Sequence, residues 1–161
     1  MLTSNMNGWS ATSEIRDRTT TEGIQKEIFG IPVKSLNYCF YASSKLTDIK
    51  DLPNTVESCV GTFEGCISIK NIDKLPSSII DARRMFAYCE NLKNISLPSK
   101  LKYTDEMFYY CLSLEGDINI PDTIETHSNM FKKTTKKITL KGDKTLNDKI
   151  KGSSFNITVN N

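Results

Sequence analysis

The sequence predicts a repeat solenoid of the α/β or mainly β class, with about five stacked coils. A phenylalanine recurs at intervals of 23, 23, 22 and 23 residues, and four of the five follow a proline by ten residues. Self-similarity at this period is typical of stacked coils, each of which buries its apolar residues against its neighbours. The anchors are Phe40, Phe63, Phe86, Phe108 and Phe131, with Pro53, Pro76, Pro98 and Pro121.

The chain is expected to have four segments. A polar N-terminal tail comes first, followed by a cap, the solenoid and a basic C-terminal cap. The predicted segments are 1–20, 21–34, 35–142 and 143–161.

The cap is predicted to contain a short helix near residues 21–29. Its apolar residues recur at helical spacing, Thr20 or Thr21 is a candidate N-cap, and Gly30 is a stop signal. Such a helix would cover the open end of the first coil.

Each unit repeats the same apolar slots around its phenylalanine. An aliphatic residue lies three positions after the proline, a small residue three after the phenylalanine, and another aliphatic residue usually six after it. Stacking would therefore place phenylalanine on phenylalanine, and cysteine on cysteine in the small slot. That slot holds Ser43, Cys66, Cys89, Cys111 and Thr134.

The stretch before each proline is predicted to be a parallel strand, because proline cannot donate to a strand ladder. ITLKG (138–142) and FNITV (155–159) would complete the sheet. The stretch 92–98 is one residue shorter, which accounts for the 22-residue interval and predicts a bulge in its neighbours. The stretch from proline to phenylalanine fits a second strand, a turn or part of a helix.

Composition indicates one ordered domain, with 38% hydrophobic and 25% charged residues. Residues 129–161 carry eight lysines and two aspartates, a net charge of +6, so the other 128 residues carry −4. This asymmetry fits either an anionic partner or a solvated end-cap. No membrane insertion is expected, because no apolar run reaches the length of a membrane helix. The N-terminus does not resemble a signal peptide, so we expect a cytoplasmic protein or a fragment of an exported or virion-borne one.

The phrases FEGCISIKNIDKLP and MFAYCENLKNISLP resemble BspA-like leucine-rich repeats, with their F-x-x-C-x-x-L core and strand ending in proline. The resemblance covers residues 31–142 and implies a leucine-rich-repeat solenoid of 22–23-residue coils. It also implies a recognition module, because such repeats occur in bacterial, protist and phage-related proteins that bind proteins or host surfaces. Tyr88 and Tyr110 depart from the pattern, which has a glycine there, as at Gly65.

No pattern of catalytic, cofactor-binding or metal-binding residues is present, so the chain is predicted not to be an enzyme. The repeated cysteines fit buried reduced thiols better than stacked disulfides. Cys39 and Cys59 fall at other repeat positions and are expected to be more exposed. His127, the only histidine, is expected at the surface.

Two faces are candidates for binding a partner. Tyr41, Tyr88, Tyr109 and Tyr110 follow their phenylalanine by one or two residues, and would either form an aromatic strip or cover the core edge. On the sheet face, the candidates are Lys50, Lys70 and Lys93, which equally fit a solvated sheet.

These faces favour a non-enzymatic recognition module that binds a protein, surface receptor or glycan. The alternative hypothesis is a small phage-type intracellular inhibitor that blocks a host protein by occlusion. Nucleic acid is not expected as a partner, because the basic C-terminus lacks interleaved aromatic residues.

Overall fold

The computed structural model describes residues 17–72, 74–152 and 154–160, together with the backbone of 2–5 and 8–11. Within these residues the chain forms short strands and one helix. The strands are β1 (Leu2–Asn5), β2 (Gly8–Ala11), β3 (Glu27–Ile28), β4 (Ile31–Pro32), β5 (Asn71–Ile72), β6 (Asn94–Ile95), β7 (Gly116–Asn119), β8 (Ile138–Lys141) and β9 (Ile157–Val159), and the helix is α1 (Lys144–Lys151). None of the helical segments among the described residues has the length and apolar character needed to span a bilayer.

The predicted parallel sheet is present in two pieces. β5 pairs with β6, and β7, β8 and β9 form a parallel three-stranded sheet in that order. Both late stretches, 138–142 and 155–159, thus contain strands that extend the sheet, as predicted. The first predicted strand, 46–53, is wrong in extent, since its pairing is limited to an isolated bridge between Asp48 and Thr20.

The break between β6 and β7 lies where the repeat spacing shifts. Ile95 follows Leu92 by three residues, whereas Ile118 follows Leu114 by four. Gly116 falls within the longer stretch and has a φ of +87°, a conformation that favours glycine. The ladder is therefore interrupted here, with a left-handed glycine at the start of β7, and the predicted bulge stays a prediction.

The stretch around each anchor phenylalanine forms a second ladder, which we call the ribbon. Alternate N–H groups in each coil donate to alternate carbonyl oxygens of the next coil, four bonds per pair of coils, with N···O distances of 2.7–3.0 Å. The N–H groups between these donors bond within their own coil, as those of Cys39 and Tyr41 do to the Leu36 and Tyr38 carbonyl oxygens at 3.0 and 3.2 Å. The ribbon comprises residues 36–42, 59–65, 82–88, 104–110 and 127–133.

Left-handed residues recur at two fixed positions of every ribbon segment. The residues two before and two after each anchor phenylalanine all have φ between +54° and +75°. These positions are Tyr38, Ala42, Gly61, Gly65, Arg84, Tyr88, Glu106, Tyr110, Asn129 and Lys133. Since a non-glycine residue in this region is strained, the regular intercoil hydrogen bonds must hold the backbone there.

The anchor phenylalanines form one continuous stack through the core. Adjacent ring centroids are 5.4–6.0 Å apart, and the interplanar angles lie between 5° and 19°. All five rings are buried, and each lies against aliphatic residues from the repeated slots. The predicted placement of phenylalanine on phenylalanine is therefore present along the whole stack.

The helix predicted near residues 21–29 is wrong. Thr21, one of the two predicted N-cap residues, instead pairs with the first coil. Its hydroxyl donates to the Lys50 carbonyl oxygen at 2.5 Å and accepts from the Lys50 N–H at 2.7 Å. The Thr21 hydroxyl thus satisfies backbone groups of the coil rather than of a helix.

A hairpin follows in place of the helix. β3 and β4 pair antiparallel, with Ile28 opposite Ile31. The two loop residues, Phe29 and Gly30, have φ of +52° and +76°. Two consecutive left-handed residues match a type I′ turn, which suits the right-handed twist of a hairpin. The division of the chain into four segments stays a prediction.

Candidate functional site

The tyrosine cluster, defined as Tyr88, Tyr109 and Tyr110, forms on the ribbon of the third and fourth coils. The ring of Tyr88 lies 5.4 Å from that of Tyr109 and 5.6 Å from that of Tyr110, measured between centroids. Tyr109 and Tyr110 are 6.4 Å apart. These distances are within the range of favourable aromatic pairs. The structure therefore brings three of the four predicted tyrosines together.

The fourth predicted tyrosine, Tyr41, belongs to a separate pair. Its ring packs edge-on against Tyr38 at 6.3 Å. In the ribbon, the second coil has Glu64 and Gly65 at the positions between this pair and the tyrosine cluster. The expected contiguous strip is thus two groups, separated by one coil whose ribbon has no tyrosine.

Tyr38 is not among the tyrosines that the sequence predicts for this face. It precedes its phenylalanine by two residues, whereas the predicted tyrosines follow theirs. A Cβ added at Gly61 would lie 2.3 Å from the Tyr38 ring, so the absence of a side chain at Gly61 gives this ring its place. In the sequence, the place of this ring is indicated by a tyrosine and a glycine at equivalent positions of adjacent repeats.

An ion network lies on the second, third and fourth coils. Arg84 forms a two-point contact with Glu64, with distances of 3.0 Å from Nε and 2.5 Å from Nη2. Its Nη1 also donates to Glu106 in the fourth coil. Glu64 is buried, so the guanidinium both neutralises and hydrogen-bonds a carboxylate withdrawn from water. The network joins three successive coils. Its members lie 20 and 22 residues apart in the sequence, so no local sequence pattern predicts it.

The exposed side chains of the two groups form the outer surface of the ribbon. Tyr38 is 51% exposed, Tyr41 42%, Tyr88 39% and Tyr110 37%. An open cavity of about 660 Å³ lies beside the network and is lined by Tyr38, Arg84 and Glu106, among others. Rigid backbone, part-exposed aromatic rings and a fixed arginine together provide a preorganised surface with both apolar and polar contacts.

The predicted lysines of the sheet face are only partly brought together. Lys70 and Lys93 lie side by side, because the Lys93 N–H donates to the Lys70 carbonyl oxygen at 2.7 Å. Lys50 forms an ion pair with Asp48 at 3.2 Å, and both side chains are more than half exposed. Exposed pairs of this kind contribute little to stability.

The repeated cysteines have a structural role. The thiols of Cys66, Cys89 and Cys111 donate to phenylalanine carbonyl oxygens of the preceding coil, at Sγ···O distances of 3.0, 3.1 and 3.1 Å. All five cysteines are buried thiols. The expectation of greater exposure at Cys39 and Cys59 is wrong, because both side chains lie in the core.

Burial also controls the chemistry of these thiols. It raises the pKa of Cys59, Cys66 and Cys111 to about 12, because the thiolate form would lose its hydration. A nucleophilic cysteine requires a lowered pKa and solvent access, and these thiols have neither.

Two further features concern the only histidine and the grouping of possible metal ligands. His127 is half-buried rather than fully exposed. Among the described residues, no three histidine, cysteine or acidic side chains are grouped so as to hold a metal ion.

Comparison with known proteins agrees with the repeat architecture. A family model described as a BspA type leucine rich repeat region matches residues 31–158 in six copies. The chain is also similar to a crystal structure of a T. pallidum leucine rich repeat protein, with a TM-score of 0.61 and 14% sequence identity. That match covers 98% of this chain and 94% of the other, and at this identity the likeness concerns the fold. No curated protein matches the chain significantly.

Proposed function

Because this chain belongs to the BspA-type leucine-rich repeat family, whose repeats generally mediate protein–protein interaction, we propose that it is a protein-recognition module. Repeats of this family are typically non-enzymatic binding scaffolds. The partner binds the ribbon at the tyrosine cluster. The observation that carries this proposal is the contact of three tyrosine rings, two of them more than a third exposed, on a hydrogen-bonded backbone.

The residue types favour a protein partner. Tyrosine and arginine are enriched among the residues that contribute most to binding, and tyrosine loses little conformational entropy when it is immobilised. Arg84 lies four residues before Tyr88 in the same ribbon segment, and Glu64 and Glu106 hold its side chain. A partner therefore meets a surface whose main side chains are already ordered.

A surface glycan is the alternative ligand at this face, and the phage-type intracellular inhibitor stays the second hypothesis for the biological role. Both would use an extended face of the solenoid. They differ in where the partner is found, which the experiment below separates.

The experiment is quantitative affinity capture with the immobilised chain, from lysate and from intact cells in parallel. The test variant is Tyr88→Gly/Tyr110→Gly, because glycine keeps the left-handed backbone at both positions. The matched control is Lys70→Ala/Lys93→Ala on the sheet face. We expect a protein captured by the wild type and the control to be lost with the tyrosine variant. Equal capture by all three chains would contradict the proposal.

The two arms of the experiment separate the biological roles. A soluble protein captured from lysate supports an intracellular target, whereas retention on intact cells supports surface recognition. Retention that survives protease treatment of the cells but not glycosidase treatment identifies a glycan.

A further inference from the structure

The hydrogen bonds of the ribbon all point in one direction along the solenoid. The peptide between Val60 and Gly61 accepts from the Tyr38 N–H in the preceding coil and donates to the Arg83 carbonyl oxygen in the next, each at 2.9 Å. The same relation holds at the other ribbon positions, so the peptide units form columns with parallel dipoles. Parallel peptide dipoles add up, and their N–H ends carry partial positive charge, as at a helix N-terminus.

The positive ends of these parallel columns all lie at the fifth coil. The N–H groups of His127, Asn129, Phe131 and Lys133 correspond to the four donors of every earlier coil. None of them donates to an acceptor within the described part of the chain. Asn129 and Lys133 have φ of +55° and +69°, as at the equivalent positions of the earlier coils, and the intervening N–H groups of Met130 and Lys132 donate within their own coil at 3.1 and 3.0 Å. The donors that lack an acceptor are therefore the alternate N–H groups, which in the earlier coils face the next coil.

A cavity lies beside this row of donors. It has a volume of about 320 Å³ and is lined by residues 129–134 and by parts of 150–156. Asn156, on the far side, donates to the Thr134 hydroxyl at 3.0 Å, which holds the two sides together. The cavity therefore occupies the place where the carbonyl groups of a further ribbon segment would accept hydrogen bonds.

The charges around the cavity have one sign. Lys132, Lys133 and Lys151 line it, and none of its lining residues is acidic. Within the residues that the structure describes, none of these three lysines forms an ion pair. The lysine side chains and the N–H ends of the peptide columns thus both contribute positive charge to this cavity.

We propose that this cavity binds a phosphate or sulfate group. The N–H groups of Asn129, Phe131 and Lys133 hold the oxyanion by hydrogen bonds, and Lys132 and Lys151 neutralise it. The group belongs either to a free inorganic ion or to an ester on a larger ligand. This site is independent of the tyrosine cluster and of the protein partner proposed above.

The test is an NMR titration of the full ¹⁵N-labelled chain with inorganic phosphate and with glycerol 3-phosphate, at constant ionic strength. We expect saturable shifts of the Asn129, Phe131 and Lys133 amide signals. Tighter binding of the ester would assign the site to an esterified ligand, and tighter binding of the inorganic ion to free phosphate. Either result supports an oxyanion site.

Charge variants supply the control. Lys132→Glu/Lys151→Glu should raise the dissociation constant at least tenfold, whereas Lys70→Glu/Lys93→Glu should change it less than twofold. The tyrosine variant Tyr88→Gly/Tyr110→Gly should bind phosphate as the wild type does. If the charge variant at the cavity does not fold, the wild-type titration alone decides. Shifts that do not saturate, or that spread over all surface lysines, would mean general charge screening and would overturn the proposal.

Discussion

The thiol of Cys89 donates a hydrogen bond to the carbonyl oxygen of Phe63 in the preceding coil, at an Sγ···O distance of 3.1 Å. Equivalent bonds at Cys66 and Cys111 show that the small slot of the repeat ties adjacent coils together. A thiol suits this position, because it fills apolar space and still offers a weak donor.

Replacing Cys89 with alanine should therefore destabilise the protein. The change removes the donor to the Phe63 carbonyl oxygen and leaves a small gap in a close-packed core. We expect a loss of about 1–2 kcal/mol in the free energy of unfolding, measured by urea denaturation. An unchanged midpoint would show that the thiol contributes neither packing nor hydrogen bonding.

The buried thiols make stability depend on pH in the alkaline range. Burial raises the pKa of Cys59, Cys66 and Cys111 to about 12, whereas an unfolded thiol ionises near pH 8.5. The folded state therefore binds more protons above that pH, and its stability falls as the pH rises towards 12. Each thiol should contribute a slope of about 1.4 kcal/mol per pH unit.

Urea denaturation at pH 8, 9 and 10 measures this slope. Other groups lose protons at alkaline pH too, so the control is Cys66→Ala, which should show a smaller slope than the wild type. Identical slopes in the two proteins would contradict the account of the thiols.

The phenylalanine stack should dominate stability. The ring centroid of Phe86 lies 5.5 Å from that of Phe63 and 6.0 Å from that of Phe108, and the Phe86 ring is fully buried. Phe86→Ala should lower the free energy of unfolding by about 3–5 kcal/mol, because it opens a cavity between two coils. Phe155→Ala is the matched control, since this ring is fully exposed and its loss should change the midpoint little. A loss below about 1 kcal/mol at Phe86 would contradict its role as the anchor of the coil.

The Arg84 network should show strong coupling. Arg84→Met leaves the buried Glu64 carboxylate without its partner and should destabilise the protein by about 1–3 kcal/mol. Glu64→Gln in the same chain should recover part of this loss, because the buried charge is removed with its partner. A double-mutant cycle by denaturation measures the coupling, and additive effects would show that the contact contributes nothing specific.

Much of this fold could be predicted from the spacing of Phe and Pro, because both residue types have strong and simple roles in a stacked coil. The stack and the late strands follow directly from that spacing. The ribbon could not be predicted, because its hydrogen bonds lie between coils and its left-handed positions include residues such as Arg84 and Glu106, which show no preference for that backbone. Among the left-handed ribbon residues, only Gly61, Gly65 and Asn129 are of types that favour the conformation.

The prediction of a helix near residues 21–29 is wrong for a related reason. The spacing of Ile24 and Ile28 fits one face of a helix, but Gly30 follows Phe29 in a two-residue turn, and Thr21 bonds to the first coil. Tertiary pairing therefore overrode the local pattern. At the candidate site, the tyrosines after each phenylalanine were visible in the sequence, whereas the Arg84 network depends on contacts between separate coils.

Binding of a partner protein at the tyrosine cluster is tested most directly by the dissociation constant of the captured partner. It should be compared among the wild type, Tyr88→Gly/Tyr110→Gly and Lys70→Ala/Lys93→Ala, each with its unfolding midpoint. Glycine relieves left-handed strain, so the tyrosine variant should be no less stable than the wild type. We expect it to bind about 30-fold more weakly, or about 2 kcal/mol, with affinity retained in the lysine variant. Unchanged affinity in the folded tyrosine variant would contradict the account.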